Sequence, residues 1–195
     1  MKIKKYLAVI LSMIFLCAGF IGCKSESTAE KNDNGQSKNI VFGVNQFPSS
    51  LDPAEGFNGW FVSMYGVGET LVKLDKNMKI EPLLADSWKR VNDLTWKFHI
   101  KDGAKFQDGT PVNGKTVKAS LERSLKLNPR AESILLIDSI TEDGQYVSIK
   151  TKTPYEAFLG NIADPVAIIV NTSAAKDTFT KAPVCTGPFK VKSYV

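Results

Sequence analysis

Residues 95–101 read Thr95-Trp96-Lys97-Phe98-His99-Ile100-Lys101. Trp96, Phe98 and Ile100 alternate with Lys97, His99 and Lys101, the two-residue period of a β-strand with one face against a core and the other in water. A helix would spread the same apolar side chains around its circumference, so this stretch commits the middle of the chain to a sheet with something apolar against one side. Asp102-Gly103 and Asp108-Gly109, on either side of Phe106, are turn pairs that redirect the chain.

Working downstream, the spacing predicts a helix over 113–127, with Asn113 as its cap and Val117, Leu121 and Leu125 recurring on one face. Runs 134–141 and 145–151 flank Asp143-Gly144 and read as a β-hairpin. Residues 154–163 suit a short helix opened by Pro154, and Val166 to Val170 a buried strand. Upstream, residues 71–74 and 78–80 form a small hairpin across Asp75-Lys76-Asn77. Residues 59–67 read as a helix carrying Trp60, Phe61, Met64 and Tyr65; Pro48 and Pro53 break the chain before it, and 39–45, apolar on both faces, is expected to be a buried strand. Strands and helices interleave, so the class is mixed α/β (α+β), without an internal repeat.

The chain has 195 residues, 43% of them apolar and 23% charged, which excludes a disordered tail, a collagen-like repeat or a disulfide-stapled miniprotein. The formal charge of +5 is inflated by the start of the chain, where Lys2, Lys4 and Lys5 face no acid before Glu26. Without those three, 22 basic residues meet 20 acidic ones, a net +2 that gives no electrostatic claim on nucleic acid. Those lysines, followed by a charge-free run from Tyr6 to Ile21, make residues 1–22 a secretory signal; the run is short for a membrane span. It ends Phe20-Ile21-Gly22-Cys23, which resembles a bacterial lipobox with Phe where Leu is usual, whereas Cys17 follows the larger Leu16. Cys23 is therefore the expected lipidation site, diacylated and holding the protein on the outer face of the membrane without spanning it. Residues 23–38, which lack any large apolar side chain after Cys23, are expected to be a flexible tether, and the folded part is 39–195.

Chemistry is sparse. His99 is the only histidine and falls on the polar face of its strand; with Cys17 removed and Cys23 lipidated, Cys185 is the one thiol left. Neither disulfide, metal cluster nor cofactor is expected from such a set, and no nucleophile–base couple can be built around one histidine. Cys185 reads as a buried small residue more readily than as a reactive thiol. Carboxylates sit mostly in turns (Asp75, Asp102, Asp108, Asp143), where they bond the local backbone, and Gly66-Val67-Gly68 completes no phosphate loop. The reading is of a protein that is not an enzyme. Trp60, Phe61 and Tyr65 either line a ligand cleft or form the apolar face of a core helix, and spacing alone favours the core.

Further stretches point to a family. Residues 83–88 (Leu-Leu-Ala-Asp-Ser-Trp), the strand at 95–101 and Gly103 to Pro111 together resemble the signature of family 5 extracellular solute-binding proteins, the peptide- and nickel-binding lipoproteins of ABC importers. Ser50-Leu51-Asp52-Pro53, Glu69-Thr70-Leu71-Val72, residues 117–123 and Thr186-Gly187-Pro188-Phe189 follow in the family's order, so the resemblance spans 39–195. It implies the first part of a type 2 periplasmic-binding-protein fold: the opening of lobe one plus its extra subdomain. It also implies a monomer whose two lobes close on a ligand and present the closed form to a permease and ATPase complex. Peptide-binding members hold extended peptides largely through backbone hydrogen bonds.

The resemblance places Trp60, Phe61 and Tyr65 near the ligand. Members are more than twice as long, so the expectation is a truncated product or fragment that lacks the second lobe and binds solute poorly by itself. The run 189–195 is then an edge strand without neighbours. Nickel-chelate binders commonly carry Arg beside the proline after the 154–163 segment; here the residues are Ala163-Asp164-Pro165, which favours oligopeptides over a nickel chelate. A degenerate surface lipoprotein without solute binding is the remaining alternative.

Overall fold

The computed structural model describes residues 41 and 43–194. The signal, Cys23 and the tether lie outside them, as does much of the strand expected over 39–45; its described residues, 41 and 43–45, carry no strand. The chain divides into two units, Met1–Val44 and Asn45–Val195, and every element below belongs to the second.

Strand β4 (Thr95–Ile100) lies inside a four-stranded antiparallel sheet. It pairs on one side with β3 (Ala85–Asn92) and on the other with β6 (Tyr146–Thr151), which pairs in turn with β5 (Ile137–Asp143). The alternation is realised: Phe98 and Ile100 are fully buried, while Lys97 and His99 remain partly exposed on the opposite face. The β5–β6 hairpin turns at Gly144, whose φ of 58° is the left-handed region a glycine adopts without steric cost. A separate two-stranded ribbon joins β1 (Val72–Leu74) and β2 (Ile80–Pro82), the expected hairpin with its second strand shifted from 78–80 to 80–82.

Helix α2 (Gly114–Leu127) packs its Val117–Leu121 stripe on the sheet, sharing a core with Phe98, Ile100, Ile140, Val147 and Ile149. Asn113 caps it as its sequence predicts: its Oδ1 accepts the Thr116 N–H at 3.1 Å, and Thr116 Oγ1 accepts the Asn113 N–H at 3.0 Å. A second, smaller core gathers Leu51, Val62, Val67, Ile168, Val170, Phe179 and Cys185.

Several expectations give way. Residues 129–135 form helix α3 (Pro129–Leu135), so the strand expected from 134 begins at 137. The cause is local: Pro129 opens a helix, Asn128 accepts the Arg130 N–H at 3.0 Å, and Leu136 ends it in the left-handed region. The helix expected over 154–163 shrinks to α4 (Phe158–Asn161), which drives Phe158 into the core with ring centroids 6.3 Å from Trp96 and 6.4 Å from Phe98.

Residues 166–170 are buried but do not form a strand; Pro165–Ala167 is a 3-10 turn. Their backbone is satisfied by α2 side chains and by single bonds to scattered carbonyls, Ile169 N–H to Glu69 O among them, instead of a ladder. Ser124 Oγ donates to Val166 O at 2.6 Å, and Ser120 Oγ donates to Ile168 O at 3.2 Å while accepting the Val170 N–H at 2.9 Å. Residues 189–194 are likewise not a strand; Gln107 Nε2 donates to Gly187 O and Phe189 O, 3.0 and 2.5 Å away, and fastens that segment. The helix expected over 59–67 forms as α1 (Asn58–Met64), ending three residues early with Tyr65 as its cap, and α5 (Thr178–Lys181) is a single turn. No helix among the described residues is long and apolar enough to cross a membrane.

Candidate functional site

Helix α1 sits on the 3-10 turn at Pro165 with its Gly59 side, so close that a Cβ there would meet the Pro165 carbonyl group, its carbon only 2.9 Å away. The flank of α1 beside that contact faces a cavity that Pro165 also lines. Trp60, 52% exposed, and Ser63 form one wall of this cavity, of about 360 Å³. The other walls are Gly68 to Thr70, β1 at Lys73 and Leu74, the end of α4, and Ala163-Asp164-Pro165.

Phe61 and Tyr65 do not line this cavity. Their rings lie 6.3 Å apart, and Tyr65 packs against the smaller core with a buried hydroxyl that has no hydrogen-bond partner among the described residues. The aromatic helix therefore divides the two roles open to it, with Val62 in the core, Tyr65 against it and Trp60 on a cavity wall.

The charges on the cavity are mostly spent. Asp164 takes both guanidinium nitrogens of Arg130, at 2.8 and 2.6 Å, and accepts the Val166 N–H at 2.9 Å. Burial works to raise the Asp164 pKa, but the Arg130 bonds, the Val166 N–H and the Arg130 charge outweigh it and hold the carboxyl below its usual range. Arg130 also lies 5.3 Å from the Phe57 ring centroid. Lys73 pairs with Glu81 at 3.3 Å on the hairpin. Asn161 is occupied structurally, donating to Ile134 O at 2.7 Å and to the Tyr155 hydroxyl.

The segment entering α1 is held from behind. Arg123 grips the buried Asp52 through both nitrogens, the Nη1–Oδ1 distance being 2.8 Å, and lies 4.0 Å from the Phe179 ring centroid. Asn128 Nδ2 donates to Gly56 O at 2.9 Å. The sequence offered Asp52 and Arg123 only as landmarks, since nothing in their spacing pairs residues so far apart.

His99 stands on the outer sheet face with a partner that sequence reading missed. Its Nδ1 lies 2.8 Å from Asp86 Oδ1, which a register shift between Ala85 and Ser87 turns toward it. The hydrogen bond to His99 lowers the Asp86 pKa, burial opposing it and Ser87 and the His99 charge assisting. Ser87 Oγ also donates to Asp86, at 3.0 Å, so the hydroxyl is bonded to the carboxylate and not to the imidazole. That order activates no nucleophile. Cys185 is fully buried, and burial, with the Asp52 charge adding to it, pushes its thiol up to about 12. No group of three or more His, Cys, Asp or Glu among the described residues could hold a metal ion.

Comparison with known proteins settles the family. Residues 79–195 match the model described as "Bacterial extracellular solute-binding proteins, family 5 Middle". The chain belongs to family 5. Among its family 5 relatives, the "Nickel-binding protein NikA" of Staphylococcus aureus is 38% identical over 129 residues, 66% of this chain and 26% of that protein. The "Probable D,D-dipeptide-binding periplasmic protein DdpA" of Escherichia coli is 35% identical over 175 residues, 80% of this chain and 33% of that protein. The crystal structure of S. aureus NikA in complex with Ni(L-His)2 superposes with a TM-score of 0.70 at 36% identity, over 76% of this chain and 31% of that one. The chain thus spans about a third or less of these family 5 relatives, and its fold is the corresponding part of theirs.

Proposed function

We propose that this chain is the N-terminal part of the substrate-binding lipoprotein of an ABC importer, extracytoplasmic and anchored through Cys23, and that its ligands are short peptides. Residues 1–22 act as the signal, 23–38 as the tether and 39–195 as the start of lobe one with its extra subdomain. The observation that carries the peptide reading is the charge of the Trp60 cavity. Its wall holds Asp164, beside the proline where the family resemblance implies an arginine in nickel-chelate binders, and Arg130, the guanidinium bonded to Asp164, is spent on that carboxylate. A ligand decorated with carboxylates gains nothing there, whereas a peptide needs apolar wall and backbone partners. Trp60 supplies the wall, with Phe61 and Tyr65 supporting the helix that presents it.

Nickel-chelate binding is the second reading, and the family 5 relative and structure that bear nickel in their names favour it. Equilibrium dialysis of the full chain separates the two, with alanine tripeptide followed by mass spectrometry and Ni(II)–histidine followed by atomic absorption. Retention of the peptide, at whatever affinity the chain reaches, supports the proposal. Retention of nickel without peptide replaces it with the chelate reading, and retention of neither leaves a surface lipoprotein. Palmitate labelling in cells tests the anchor: label that persists in a Cys23→Ala variant removes Cys23 as the site.

A further inference from the structure

The outer face of the four-stranded sheet carries charge that the protein leaves unanswered. Across it, Ser87, His99 and Tyr146 stand in one row, and Lys89, Lys97, Ser148 and Thr141 in the next. Lys89 and Lys97 are thus direct cross-strand partners, an arrangement of like charges that weakens a sheet. Neither forms an ion pair among the described residues, because the acids nearby are engaged elsewhere. Asp86 is bonded to His99 and Ser87, Asp138 pairs with Lys150 at 3.0 Å, and Asp143 stands at the far edge opposite Tyr146. The charge is nonetheless placed. The Lys97 ammonium lies 4.3 Å from the Tyr146 ring centroid, and that ring lies 4.8 Å from the His99 ring. Ser87, Trp88, Lys89, Lys97, His99 and Tyr146 line an open depression of about 310 Å³.

We propose that this face docks on the membrane to which Cys23 anchors the chain, the Lys89 and Lys97 ammonium groups donating to phosphate oxygens of anionic lipid headgroups. This rests on the anchor reading above and goes beyond it, since it sets which side of the folded unit meets the lipid. Charge complementarity chooses the occupant first. Lysines are depleted at the centre of protein interfaces, whereas an ammonium held over a ring keeps its N–H groups for a layer of phosphates. Reach chooses it again. The stretch from Cys23 to the start of the folded unit at Asn45 spans at most about 70–80 Å, so the anchor keeps headgroups at high effective concentration around this face.

The full chain, carrying its acyl groups, tests this on vesicles of phosphatidylcholine alone and of phosphatidylcholine with phosphatidylglycerol. Reductive methylation of each lysine is followed by mass spectrometry. Flotation with the neutral vesicles reads the anchor by itself; failure to float removes the anchor, and the docking with it. At about fivefold per lysine, the pair should favour the docked state on anionic vesicles about thirtyfold. Lys89, Lys97 and Lys150, which shares their face, are then expected to react several-fold more slowly there, and about 0.5 M salt should abolish the difference. Lys115 and Lys126, on the helix behind the sheet, should react alike on both. Equal rates at Lys89 and Lys97 on the two vesicles overturn the docking and leave the anchor standing, as does equal slowing at Lys115 and Lys126. The same slowing by inorganic phosphate on neutral vesicles assigns the pair to a soluble anion and also overturns it. In Lys89→Gln/Lys97→Gln, with an unchanged thermal melt, Lys150 should lose its protection; protection that persists moves the contact to other groups and refutes this one. The vesicle comparison needs no variant, so misfolding of the double variant does not shelter the proposal.

Discussion

Replacing Arg123 by Met removes the partner of a carboxylate that has almost no access to water. The Asp52 side chain is 4% exposed and that of Arg123 19%. In Arg123→Met, Asp52 keeps the Ala54 N–H at 3.0 Å, and the guanidinium with its bidentate contact and its place over Phe179 is gone. A buried charge left in this condition costs about 3–5 kcal/mol, against about 0–1 kcal/mol for a hydrated pair. For a chain of this size that corresponds to a loss of roughly 6–20 °C in melting temperature. The double variant Asp52→Asn/Arg123→Met keeps an oxygen for the Ala54 N–H and buries no charge, so it should recover most of the loss. Urea unfolding followed by tryptophan fluorescence at pH 7 gives the full cycle, and a repeat in 0.5 M salt should leave it nearly unchanged. A cost below about 1 kcal/mol for Arg123→Met, or a double variant no better than the single, would refute the reasoning by showing that water reaches Asp52.

The Asp164–Arg130 pair should make stability depend on acid. The folded pKa of Asp164 lies below its unfolded value of about 3.9, so its contribution is complete above that value and fades as pH falls through the folded pKa. Asp164→Asn should flatten the stability profile below about pH 4, and an identical acid slope in both proteins would count against the pair. Gly59→Ala forces a methyl against the Pro165 carbonyl group and should lower stability by about 1–3 kcal/mol, read as a fall of several degrees in a thermal melt; no change would mean that α1 is not seated as described. Cys185, with its thiol pushed up to about 12, should resist a thiol reagent at pH 8 while folded and react on unfolding; rapid labelling of the native chain would contradict its burial.

Much of the sheet was legible because its signals are local. The alternation at 95–101, the Asp143-Gly144 turn and the Asn113 cap each act within a few residues, and β4, the β5–β6 hairpin and α2 form where those signals lie. The misreadings share a physical cause. Residues 166–170 have the apolar run of a buried strand, but whether such a run joins a ladder depends on what its backbone meets across the fold. Here it meets Ser120 and Ser124, two hydroxyls on the buried face of α2. Small polar residues on the apolar stripe of a helix were the visible clue, and only the fold says which backbone they serve. The strand expected from 134 failed for a local reason that could have been read, since Asn128-Pro129 is itself a helix start.

The candidate site was less legible, because it depends on pairings between distant positions. Three residues of α2 and its continuation into α3 reach back to the segment that leads into α1. Arg123 holds Asp52, Asn128 holds Gly56, and Arg130 lies against Phe57. Arg130 simultaneously fixes Asp164 on the facing wall. The helical pair thus sets the distance between the Trp60 wall and the Asp164 wall from behind, without contributing those three side chains to the cavity lining. A residue that aligns two walls through buried bonds should affect stability and ligand affinity together, whereas one that only meets the ligand should affect affinity alone. Arg130 belongs to the first kind and Glu69, whose side chain makes no hydrogen bond or ion pair among the described residues, to the second. If Arg130→Ala weakened peptide binding without loss of stability, or Glu69→Gln unfolded the chain, that division of labour would be wrong.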